Sequence, residues 1–211
     1  DMISIVTYAG SSGTALKPTP GSQKQSIRKA IDRLVSGGST NGAGGINKAY
    51  ELAEESFIEG GNNRILLVTD GDFNVGISNQ EDLVKLIEEK REKKIFLTVI
   101  GVGSGNLQEG ILEQLANNGN GNFEYLDQAS QGTKLFVHEY QKFFTVAKDV
   151  KIQIEFNPQV VSRYRLIGYE NRTLAQEDLE KDTKDAGEIG AGQSITALNE
   201  IELAPCNNCE T

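Results

Sequence analysis

The 211 residues carry 21 basic and 30 acidic side chains, a net charge of −9, so no basic surface is expected for nucleic acid or an anionic bilayer. A hydrophobic content of 37% beside 24% charged residues excludes a disordered chain. The length suits one full domain and part of a second, and no apolar run approaches the roughly 18 residues of a membrane span.

Strand and helix signals alternate through residues 1–147. Residues 2–9, MISIVTYA, read as a strand, and ALKPTP, with two prolines, suits only a sheet edge. Ile27, Ile31, Leu34 and Val35 recur at helical spacing, and so do Ile46, Tyr50, Ala53 and Phe57 after a glycine-rich opening, LVSGGSTNGAGGI. RILLVTD (64–70) and IFLTVIGVG (95–103) are continuous apolar runs, as strands buried on both faces require. Between them, residues 80–94 form an amphipathic helix with an acidic start and a basic end, which matches the helix dipole. A helix over 107–119, a short strand over 122–127 and a helix over 133–148 complete the series. The alternation predicts an α/β fold, a doubly wound, mostly parallel sheet with helices on both faces.

The pattern changes near Lys148. DVKIQIEF (149–156), VVSRYRLIGYE (160–170) and QSITALNEIEL (193–203) alternate apolar and polar residues, as half-buried antiparallel strands do, around an acidic loop over 174–192. Residues 148–211 therefore read as a partial β-rich module. Cys206 and Cys209 form one CxxC with no second pair, and the lone His138 is far away, so a zinc site is not expected.

Ligands of parallel α/β sheets bind at the carboxyl ends of the strands. The glycine-rich opening invites a nucleotide reading, but it has no lysine at the P-loop position and follows a helix rather than a strand. GVGSGN (101–106) lacks the third glycine of a dinucleotide loop. Asp70 and Asp72 have the Asp-x-Asp spacing of a magnesium-dependent phosphohydrolase, yet the end of the next strand offers no acid. Thr40 and Asp70 remain: a hydroxyl and a carboxylate that a hard cation accepts. As plain structure, Thr40 would be a helix N-cap and Asp70 a turn former.

GGST before a helix, ILLVTDG and FLTVIGVG resemble the second loop, third loop and fifth strand of von Willebrand factor type A domains. The resemblance spans residues 1–147, and the chain would begin at the family's second strand. It implies that Thr40 and Asp70 are ligands of an adhesion-type metal site holding Mg2+, Mn2+ or Ca2+. The family's first loop, Asp-x-Ser-x-Ser, is not in this sequence, so metal binding here is expected to be weak or absent. The implied partner is a protein offering an acidic side chain, and the implied role is adhesion or assembly, not catalysis. A scaffold without a working metal site and a phosphohydrolase using Asp70 are the alternatives. Residues 148–211 resemble the C-terminal module of bacterial proteins of this kind, with Gln193 where histidine is expected, which implies an extracytoplasmic or envelope-anchored protein. The family's strand order further implies that strands 2–9 and 64–70 each lack a neighbour here, which would leave the chain alone unstable or rearranged.

Overall fold

A computed structural model describes residues 1–9, 13–35, 37–38, 41–70, 80–103, 108–168, 173–175 and 187–205. The chain divides into two compact units, Asp1–Phe144 and Thr145–Thr211.

In the first unit, β1 (Met2–Thr7) and β2 (Gly13–Pro20) pair antiparallel as a two-stranded sheet. Pro18 and Pro20 fall on β2, which among the described residues has a ladder only with β1, the edge position where a strand tolerates proline. Two helices follow, α1 (Lys24–Asp32) and α2 (Gly42–Glu55). Then β3 (Asn63–Thr69), α3 (Gln80–Glu92), β4 (Ile95–Val102), α4 (Glu109–Asn118) and β5 (Phe123–Leu126) alternate. Strands β3, β4 and β5 form a parallel sheet in that order, with Leu67 opposite Val99 and Val99 opposite Phe123.

The central strand β4 is buried from Ile95 to Gly101, which explains its unbroken apolar run. Its side chains alternate between two clusters. Ile95, Leu97 and Val99 pack with Ile46 and Tyr50 of α2, Leu83 and Ile87 of α3, and Leu112 and Leu115 of α4. Ile100 turns the other way, onto Leu135 and Phe143. Full burial of each such aliphatic side chain contributes about 1.5–3 kcal/mol. On that second face Thr98 is fully buried, and its hydroxyl accepts a 2.6 Å hydrogen bond from the Arg64 guanidinium, which also lies 5.5 Å from the Phe96 ring.

The α/β class expected from the alternation is the class found, with a parallel sheet at its centre. Several element readings change. The helix expected over 133–148 is a composite: α5 (Ala129–Thr133), a π turn (Lys134–His138) and a 3-10 turn (Tyr140–Phe143). The widened turn, closed by Glu139 N–H on the Lys134 carbonyl, sets Leu135 and Phe143 on one cluster. Helix then gives way to strand at Thr145, where β-branched residues find a ladder.

In the second unit, β6 (Thr145–Val150) pairs antiparallel with β8 (Gly187–Gly190), and β7 (Val161–Ile167) with β9 (Leu198–Leu203). The strand expected over 149–156 is therefore β6, displaced toward the N-terminus. Residues 151–157 alternate correctly but have no ladder among the described residues, and a strand is made by its pairing. The loop expected over 174–192 contains β8 at its end. Gln193 closes the turn after β8, its side-chain oxygen accepting from Gly190 N–H at 2.9 Å.

Candidate functional site

The candidate site is at the carboxyl end of β3, the edge at which parallel α/β sheets bind ligands. Thr69 is buried and Asp70, the next residue, is exposed where the strand stops. Period two puts Leu67 and Thr69 inward, and the chain leaves the sheet with its carboxylate in solvent. Thr40 lies outside the described residues, and so do Asp72 and the Cys206–Cys209 pair.

Two other side chains organise this edge. Tyr8, just past β1, reaches across to β3 and donates its phenol to the Val68 carbonyl at 2.5 Å. Burial pushes that phenol above its ordinary value of 10.0; a hydrogen bond with the Thr69 side chain opposes the shift and the Asp70 carboxylate adds to it. Asn41 caps α2: its side-chain oxygen accepts from Gly44 N–H at 3.1 Å, while its own N–H donates to the Tyr8 carbonyl at 2.8 Å. The N-cap role considered for Thr40 thus belongs to Asn41.

The glycines after Asn41 have steric work to do. A Cβ on Gly45 would lie 2.4 Å from the Tyr8 Cβ, and one on Gly44 would lie 2.7 Å from the Asn41 amide nitrogen. The opening is glycine-rich here because a helix start, its cap and Tyr8 are crowded together. Sequence reading missed Tyr8 and Asn41, since a tyrosine at a strand end reads as strand and the cap signal was given to the threonine beside it.

Among the described residues, no group of three or more His, Cys, Asp or Glu side chains could hold a metal ion. Asp70 contributes a hard, exposed carboxylate at the right edge of the sheet. One carboxylate is short of the donor set a divalent cation requires, so the described residues do not by themselves make a metal centre.

An α/β unit with a parallel sheet, followed by a separate β-rich unit, defines the class. Residues 1–139 match the von Willebrand factor type A domain, and the chain belongs to that family. Residues 141–209 match the C-terminal domain of the uncharacterized protein YfbK. Uncharacterized protein YfbK of Escherichia coli (strain K12) is 50% identical over 204 residues, 96% of this chain and 36% of the relative. The chain thus spans about a third of that relative's length. Among solved structures, a conserved hypothetical protein, BatB, from Bacteroides thetaiotaomicron is similar with a TM-score of 0.53 at 22% identity, over 68% of this chain and 79% of that one. A von Willebrand factor type A protein from Catenulispora acidiphila is similar with a TM-score of 0.56 at 15% identity, over 67% of this chain and 33% of that one. At these identities the two structures bear on the fold alone. Domains of this family generally mediate protein interactions rather than catalysis, and they often bind a divalent metal. No helix among the described residues is long and apolar enough to cross a membrane.

Proposed function

We propose that this chain is a non-catalytic, bacterial cell-envelope module that binds a protein partner through a divalent cation at the carboxyl end of β3. Asp70 and Thr40 are its ligands, and an acidic side chain of the partner supplies a further oxygen. The observation that carries the reading is the exposed Asp70 carboxylate, ending a parallel strand in a von Willebrand factor type A domain. A hard cation takes about six oxygens, so two protein ligands leave most positions to water and partner, and affinity for metal alone is weak.

Calorimetric titration of the 211-residue chain with Mg2+ and Mn2+ tests this. Weak binding that disappears in Asp70→Ala, and again in Thr40→Ala, supports it. Binding that survives both changes would put the metal on other residues, and no binding even at millimolar metal would favour a scaffold; either overturns it. Turnover of a phosphate ester that Asp70→Asn abolishes would make the chain a phosphohydrolase instead. Fractionation of cells expressing the complete gene tests the envelope location, which recovery from the cytosol would overturn.

A further inference from the structure

Helix α1 has little support from the rest of the first unit. None of its nine residues is buried, and its N-cap Gln23 makes no side-chain capping bond. Its first turn holds no acid and begins with Lys24, a cation at the end of the dipole where an anion belongs. A helix this short is marginal on its own in water.

Its pattern is nevertheless sharply two-sided. At 100° per residue, Ile27, Ala30 and Ile31 share one stripe, which Leu34 extends through the turn that follows. Ile31 is 51% and Leu34 43% exposed. Lys24 and Arg28 flank the stripe on one side and Arg33 on the other, while Lys29 lies on the opposite face with Asp32, the helix's one acid. Several other cations are paired: Lys48 with Glu51, Lys90 and Lys93 with Glu54, Lys142 with Glu139, Arg165 with Glu200. Among the described residues Lys24, Arg28, Lys29 and Arg33 form no ion pair. Three cations with no ion pair among the described residues thus flank a stripe in which Ile27 and Ala30 are half-buried and Ile31 and Leu34 are exposed, on a chain of net charge −9.

We infer that α1 is a docking helix for an acidic amphipathic segment of a protein partner. Apolar side chains of that segment cover Ile27, Ile31 and Leu34, and its carboxylates meet the flanking cations, by the complementarity that sets specificity and encounter rate. This surface needs no metal, and it stands independently of the Asp70 reading.

The probe is a fluorescent synthetic helix with leucines at i, i+3 and i+4 spacing flanked by glutamates, titrated with the full chain and read by anisotropy. Binding should weaken with added salt, persist in EDTA, and fall by about tenfold or more in Lys24→Glu/Arg28→Glu, since like charges then face each other. Ile31→Ser should weaken binding and leave its salt dependence unchanged. All these side chains are exposed, so melting temperature should not move. No binding, equal binding of a lysine-flanked control peptide, or insensitivity to the charge reversal would each overturn the proposal. Binding to phosphatidylserine-containing vesicles without peptide binding would overturn it in favour of a membrane. Metal dependence belongs to the Asp70 edge, so loss of binding in EDTA would likewise refute α1 as the contact.

Discussion

The Tyr8 phenol and the Val68 carbonyl, 60 residues apart in sequence, meet in a 2.5 Å hydrogen bond that links the antiparallel β1–β2 pair to the edge of the parallel sheet. No ladder joins β1 to β3 among the described residues, so this side chain does part of what backbone pairing does between β3 and β4.

Tyr8→Phe should therefore cost about 1 kcal/mol, the net worth of one hydrogen bond. Gly45→Ala should cost more, about 1–3 kcal/mol, because its methyl group would displace the whole Tyr8 side chain. Urea denaturation of both variants checks the order; equal stability of Gly45→Ala and the parent would refute the crowding argument.

Gly121 precedes β5 and lies against β4. A Cβ there would be 1.9 Å from the Leu97 carbonyl oxygen, which is backbone and cannot rotate away. Gly121→Ala should cost about 3 kcal/mol or more through backbone displacement. Gly132, in α5, has open space around its Cβ, so Gly132→Ala should be neutral or stabilise by about 0.5–1 kcal/mol. Thermal melts of the pair separate steric from entropic effects of the same substitution.

Tyr50 is 1% exposed, its hydroxyl has no hydrogen-bond partner among the described residues, and burial pushes its phenol well above the ordinary 10.0. A raised folded-state value means stability is complete below pH 10 and falls as pH rises beyond it, because the unfolded chain ionises first. Tyr50→Phe should be neutral or stabilising by about 1–2 kcal/mol at pH 7, with a larger advantage above pH 10. Denaturation at pH 7 and above pH 10 reads both; a Tyr50→Phe protein clearly less stable at pH 7 would show that the hydroxyl is satisfied.

Glu54 on α2 holds Lys90 of α3 at 2.8 Å and Lys93, just beyond it, at 3.3 Å. These hydrogen bonds hold the Glu54 carboxyl below its ordinary 4.5. A lowered value contributes stability above that ordinary value and loses it as pH falls through the folded one. The group is largely solvated, so Glu54→Gln should cost only about 0.5–1 kcal/mol at pH 7. The difference should vanish in strong acid and shrink in high salt. Melting curves across pH and ionic strength give the answer, and a gap that persists in acid would assign the cost to packing.

Most of the first unit was legible because burial on both faces leaves a plain mark. The run at β4 has no polar interruption except Thr98, and that hydroxyl is satisfied by Arg64, a partner 34 residues away that periodicity cannot reveal. Asp70 was legible as the end of such a run. The glycine-rich opening was harder, since glycine signals closeness without saying to what. Gly44 and Gly45 make room for the Asn41 cap and for Tyr8.

Local periodicity and the placement of apolar runs determined the α/β class, the buried central strand and the carboxylate at its neighbour's end, since these depend on solvent exclusion that each segment records in its own side chains. Tertiary structure decided which strands pair, that β1 and β2 form their own ribbon, that the last helix breaks into π and 3-10 turns, and that Tyr8 and Asn41 organise the edge beside Asp70. Pairing partners and hydrogen bonds between distant residues are set by how segments meet in space, which a one-dimensional pattern does not encode.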